Sequence, residues 1–181
     1  MVKRLLLISM SLIAMSAAAQ TGETTVLWTG EAALSWDGAT APHIDADKCT
    51  DIIAGDKIVL TVSEFEAGQD WPSCYLRSAS NHTELCGTGL WDYKNETLPV
   101  SVDIEVPYDA AIVAAFKEGF YAVGTGATIT GISVKQTGDP SVVLPTGNNV
   151  LWFDPKGVEL SWSNSVTIAQ DKTADLEAGQ V

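Results

Sequence analysis

Two short stretches of this 181-residue chain gather side chains suited to recognition chemistry. One holds Trp71, Tyr75 and Arg77; the other runs Trp91, Asp92, Tyr93, Lys94, Asn95. Pyranose rings present apolar C–H faces that stack on indole or phenol, and their hydroxyls pair with planar polar groups. Trp and Tyr supply that contact area at low entropic cost. If Cys74 and Leu76 point into a core, strand alternation turns Trp71, Ser73, Tyr75 and Arg77 outward. The segment from Trp91 to Asn95 lies between Gly87/Gly89 and Pro99 and reads as loop or strand edge. The expected ligand residues are therefore Trp71, Tyr75, Arg77, Trp91, Asp92, Tyr93 and Asn95. The competing reading is that the aromatics only cover the end of a sheet.

Bond-making chemistry finds less support. There is no G-x-S-x-G elbow, phosphate loop or dinucleotide fingerprint. His43 and His82 have no metal-ligand spacing around them. The carboxylate pairs Asp45/Asp47 and Asp103/Glu105 fall on one loop or one strand face, as a solvated acidic surface does. No residue is assigned a catalytic role, and no metal ligand is identified. Three cysteines allow one disulfide. A Cys74–Cys86 bridge would tie down the polar loop from Ser78 to Glu84, contributing about 2–3 kcal/mol, and leave Cys49 unpaired. Three buried thiols are the alternative.

The elements that must position these residues carry a period of two. Val100, Val102, Ile104 and Val106 share one face, with Ser101, Asp103 and Glu105 on the other. Similar alternation runs from Lys57 to Phe65 and from Trp71 to Arg77, and strand-like runs cover Thr25 to Thr29 and Ala127 to Lys135. Turn signals separate them, which argues for an antiparallel sandwich. One short helix interrupts the strands, with Pro107 in its first turn, Asp109 near its positive end and Gly119 as its stop. A single last strand follows it. Trp28 and its copy Trp152, in short apolar strand patterns, are expected in the core, as are Trp36 and Trp162, which alternation sets with the preceding Leu and opposite the Ser.

Composition bounds the partners. Ten Lys+Arg against 23 Asp+Glu give a net charge of −13, and 46% of residues are hydrophobic. That suits a packed domain and argues against nucleic acid or anionic lipid. Lys3-Arg4, the apolar run Leu5 to Met15 and Ser16-Ala17-Ala18-Ala19 read as an export signal over residues 1–19, too short to span a membrane. Its removal takes away two cations and leaves the chain at −15. An exported protein, periplasmic, cell-surface or extracellular, is expected.

The chain also repeats itself. Val26-Leu27-Trp28 recurs as Val150-Leu151-Trp152, Leu34-Ser35-Trp36 as Leu160-Ser161-Trp162, Asp47-Lys48 as Asp171-Lys172, and Ala54-Gly55 as Ala178-Gly179. The expected organisation is a module at 23–136, a Pro/Gly/Thr linker at 137–148 and a truncated second copy at 149–181. The chain then reads as the N-terminal piece of a longer tandem-module protein.

The V-L-W-x-G opening, the Ala54 to Val62 strand and the closing run from Ala110 through Gly119, Tyr121 to Gly126 and Ile129 to Val134 together resemble one family. They are similar to galactose-binding-like jelly-roll domains, the carbohydrate-binding modules of exported bacterial glycan-processing proteins. That resemblance implies an all-β, antiparallel jelly-roll β-sandwich, often with a structural calcium, and a sugar site on end loops or a concave face. No other cofactor is implied. The Gly119-Phe120-Tyr121-Ala122-Val123-Gly124 segment and the cysteines depart from the pattern. The function expected is non-catalytic binding of a neutral polysaccharide or oligosaccharide, by a monomer within a tandem-module chain. Any hydrolase activity would lie in a missing C-terminal domain. The alternative is a structural or adhesion domain of a surface protein.

Overall fold

The computed structural model describes residues 22–38, 40–146 and 153–157. The expected export signal and nearly all of the second copy, Trp152 and Trp162 included, lie outside the described residues. Among the described residues eight strands form: β1 (Thr24–Ala33), β2 (His43–Ile44), β3 (Lys57–Phe65), β4 (Ser73–Ser78), β5 (Glu84–Gly89), β6 (Val100–Glu105), β7 (Phe120–Thr125) and β8 (Ala127–Lys135). A single helix, α1 (Ala110–Lys117), lies between β6 and β7. The strands make an all-β sandwich of two four-stranded antiparallel sheets, ordered β1-β8-β3-β6 and β2-β7-β4-β5.

Alternation builds the core as expected. Ile58, Leu60 and Val62 of β3 are wholly buried and pair across to Ile104, Val102 and Val100 of β6. The facing sheet contributes Cys74 and Leu76 from β4 and Phe120 and Ala122 from β7. Phe116 of α1 meets Phe120 edge-on, with ring centroids 5.2 Å apart, and so seals one end.

Four details differ from expectation. The helix starts at Ala110, leaving Pro107 outside it. Asp109 is its N-cap, its carboxylate accepting from the backbone N–H groups of Ala111 and Ile112. Gly119, at φ 94°, ends it in a left-handed conformation that suits glycine. Two strands follow the helix rather than one, because Phe120–Thr125 is buried on both faces and so does not alternate. Trp28 is only half-buried: Leu27 takes the core position at a β-bulge, and the indole rests against Gly30.

The cysteines are the fourth. Cys49, Cys74 and Cys86 are free thiols, so the Cys74–Cys86 bridge is not formed. Cys74 stands opposite Thr88 and Cys86 opposite Leu76. Diagonal sites of this kind lie about 7–8 Å apart, beyond ordinary disulfide reach. Burial is the main cause that pushes Cys49 up to about 11, and Cys74 and Cys86 up to about 12. These thiols are protonated packing groups at neutral pH.

A buried carboxylate ties the fold together. Asp56 is wholly buried. Its Oδ1 accepts from the backbone N–H of Thr137 at 3.0 Å and of Gly138 at 2.8 Å, and its Oδ2 from that of Ile53 at 3.0 Å. The segment leaving β8 is thereby held to the β2–β3 connection. Close by, the N–H of Gln136 donates to the carbonyl of Glu23 at 2.9 Å. Residues 23 and 136, the expected ends of the module, thus lie side by side at the β1–β8 edge of one sheet.

Candidate functional site

The outer face of the β2-β7-β4-β5 sheet collects the recognition residues. Along β4, Cys74 and Leu76 point into the core while Tyr75 and Arg77 stand half-exposed on the opposite face. Cross-strand partners share a face. Tyr75 therefore lies between Gly87 of β5 and Val123 of β7, and Arg77 between Glu84 and Tyr121. Ser73 also takes this side but is covered.

Glycine shapes this surface. A Cβ at Gly87 would collide with the Tyr75 ring, and one at Gly89 with the Trp91 ring. Each aromatic lies down over the bare backbone of β5. Trp91 opens a short 3-10 turn, Trp91–Tyr93, immediately beyond that strand. Trp71 sits just before β4, two residues from Ser73, which pairs with Gly89. The two indoles therefore meet at the same end of the sheet, with centroids 5.7 Å apart and planes at 73°. Trp71 is 72% exposed and Trp91 44%.

Trp36 joins them, against the expectation that it is core. β1 ends at Ala33, so the alternation assumed for Leu34-Ser35-Trp36 does not apply. Leu34 is buried, whereas Trp36 lies in a turn and is 49% exposed. The turn crosses the outer face of the sheet. The Ser35 carbonyl accepts from Gly124 of β7, and Gly38 packs on the Tyr121 ring. The Trp36 ring sits 5.5 Å from that of Tyr75, and the Arg77 guanidinium lies 5.8 Å from the Trp36 centroid. The Arg77 Nε is buried and makes no hydrogen bond. Packing against Trp36 therefore holds the side chain, and its terminal N–H groups are the ones available to a ligand. The signal for Trp36 was present in the sequence. Asp37-Gly38 is a turn dipeptide directly behind it, and Trp36 recurs as Trp162.

The structure brings Trp71 and Trp91 together and seats Tyr75 and Arg77 beside Trp36. Asp92 and Asn95 are exposed on the Trp91 segment. Tyr93 is half-buried and packs on the core, so it supports the turn. Lys94 anchors the same turn through Nζ to the Gln69 carbonyl. The carboxylate pair Asp103 and Glu105 lies on the other sheet. Asp103 is bound to Lys57 at 2.8 Å and Glu105 to Lys156 at 3.0 Å. Asp45 and Asp47 are exposed at a 3-10 turn, Ala46–Lys48. Among the described residues no three His, Cys, Asp or Glu gather to hold a metal. Among them no helix is long and apolar enough to cross a membrane.

No protein-family signature matches this chain, and no curated protein sequence matches it. Among solved structures it is similar to SGBP-B of the Bacteroides ovatus mixed-linkage glucan utilization locus, captured in complex with a mixed-linkage heptasaccharide. The two are 21% identical, with a TM-score of 0.46, over 62% of this chain and 29% of that one. The chain thus spans under a third of that protein.

Proposed function

We propose that the outer face of the β2-β7-β4-β5 sheet binds a neutral glycan and holds it without cleaving it. The carrying observation is the row of exposed rings on one sheet face, Trp71 and Trp91 at one end and Trp36 with Tyr75 further along, with Arg77 among them. Rings that merely capped a sheet end would be covered. Here three indoles remain between 44% and 72% exposed, an apolar patch of the kind that marks a binding surface. Arg77, Asp92 and Asn95 supply planar polar groups for hydroxyls. The chain's strong negative charge favours a neutral over an acidic polymer.

Every connection between successive strands except β4–β5 passes from one sheet to the other, which supports a jelly-roll reading of the sandwich. We take the protein to be exported and monomeric, and the second copy to be a further binding module in tandem. Two weak modules on one chain raise apparent affinity for a polymer through effective concentration. Affinity electrophoresis in gels containing neutral polysaccharides tests the reading. Retardation by at least one, lost in Trp36→Ala and Trp71→Ala variants, is expected. A folded protein retarded by none refutes it.

A further inference from the structure

The same sheet face continues past Arg77 into a cluster with a different chemistry. Arg77 of β4, Tyr121 of β7 and His43 of β2 stand opposite one another on three adjacent strands. The His43 ring stacks on Tyr121, with centroids 4.9 Å apart and planes at 22°. The His82 ring meets Tyr121 edge-on at 5.9 Å, and its Nδ1 is hydrogen-bonded to the Tyr121 hydroxyl at 3.1 Å. Tyr121 is itself buried, whereas both histidines are exposed. The tyrosine is thus a foundation that fixes two imidazoles at the surface.

The backbone gives a second, independent sign. His82 has φ 62°, the sole non-glycine residue in the left-handed region among the described residues. Its N–H donates to the Ser78 carbonyl, and the Asn81 side chain caps the turn by accepting from the N–H and hydroxyl of Thr83. A conformation that glycine adopts freely is here imposed on a histidine, and it places the ring on Tyr121. Strain of this kind collects at working surfaces. With Nδ1 committed to Tyr121, Nε2 is the atom an incoming hydroxyl meets.

We propose that His43 and His82, seated on Tyr121, form a further sugar subsite beside Arg77. The face would then take an internal stretch of a linear glycan rather than one terminal sugar. This rests on the glycan reading of the same face and deepens it. The six steps from Trp71 to Arg77 alone span about 20 Å at strand rise, longer than a single sugar needs. The cluster widens the face sideways from Arg77 across β7 to His43, and His82 carries it past the end of β4.

Calorimetry of the full chain with β-linked gluco- and manno-oligosaccharides, disaccharide through heptasaccharide, tests this. In the parent protein, affinity is expected to climb about tenfold between trisaccharide and hexasaccharide, as an added ring contact allows. His82→Gly suits the left-handed backbone and keeps the urea midpoint, and with His43→Ala it loses most of that climb while trisaccharide affinity stays. Affinity flat beyond the trisaccharide overturns the proposal. So does hexasaccharide binding at parent strength in both variants. If no sugar of the series and no neutral polysaccharide binds the parent, the glycan reading falls and this subsite with it.

Discussion

Replacing Asp56 by alanine is expected to remove about 4 kcal/mol of folding stability, and the structure allows that figure to be built bond by bond. The carboxylate is wholly buried and accepts three backbone N–H groups. Hydrogen bonds to a charged group contribute about 1.5–3 kcal/mol, and a buried donor left unpaired suffers its full desolvation penalty. Gly138 is buried, so its N–H loses about 2–3 kcal/mol. Ile53 is half-buried and loses about 1–2 kcal/mol. Thr137 is exposed, and water replaces its bond at little cost. Asp56→Asn keeps the Oδ1 acceptor for Thr137 and Gly138 but turns an amide N–H₂ toward the Ile53 N–H, so about half the loss is expected. Urea unfolding followed by tryptophan fluorescence reads both midpoints. An Asp56→Ala protein within about 1 kcal/mol of the parent would refute the view that this carboxylate fastens the end of the module.

Other outcomes follow from the same geometry. Leu60→Ala, at a wholly buried β3 position, is expected to cost about 3 kcal/mol in the same urea assay. Asp103→Ala breaks a partly exposed ion pair with Lys57, and a shift under about 0.5 kcal/mol is expected. The thiols set an alkaline limit. Their folded pKa values of about 11 to 12 exceed the ordinary 9.0, so stability is intact below pH 9 and falls as pH rises toward them. Each contributes a slope of about 1.4 kcal/mol per pH unit in that window. A Cys74→Ala variant should therefore lose stability less steeply than the parent between pH 9 and about 10.5, and equal slopes would contradict the burial argument. Gly89→Ala places a methyl group where the Trp91 ring lies. It is expected to weaken glycan binding about tenfold, as Trp91→Ala does, with both indoles retained; calorimetry against the retarding polysaccharide reads this.

The sandwich was legible because its core strands alternate. Ile58, Leu60 and Val62 on β3 and Val102, Ile104 and Val106 by β6 are buried, as their spacing implies. Period two fails where a strand is covered on both faces, and β7 was hidden for that reason. It fails again where side chains are missing. Glu84–Gly89 carries two glycines, and their role appears only once Tyr75 and Trp91 are seen lying on them. Of the site, the outward set of β4 and the Trp91 turn could be read from pattern and turn chemistry. Trp36 could not be placed by pattern, since local alternation says nothing of a turn that folds back across a distant strand. The His43–Tyr121–His82 cluster joins residues far apart in sequence: pairing of β2 with β7 brings His43 to Tyr121, and pairing of β4 with β7 brings the turn that carries His82.

The adjacency of Glu23 and Gln136 has a mechanical consequence. Because Glu23 and Gln136 lie at the ends of neighbouring strands, tension applied between them would peel β1 from β8 one hydrogen bond at a time, the weakest direction in which to load a sheet. If the expected export signal is removed, load enters through Gln136, along β8 and the two strands paired to it, β1 and β3. The aromatic row is on the far sheet. A polymer drawn across those rings would drag on the module from the side opposite its tether, and the layer of side chains between the sheets would carry the shear.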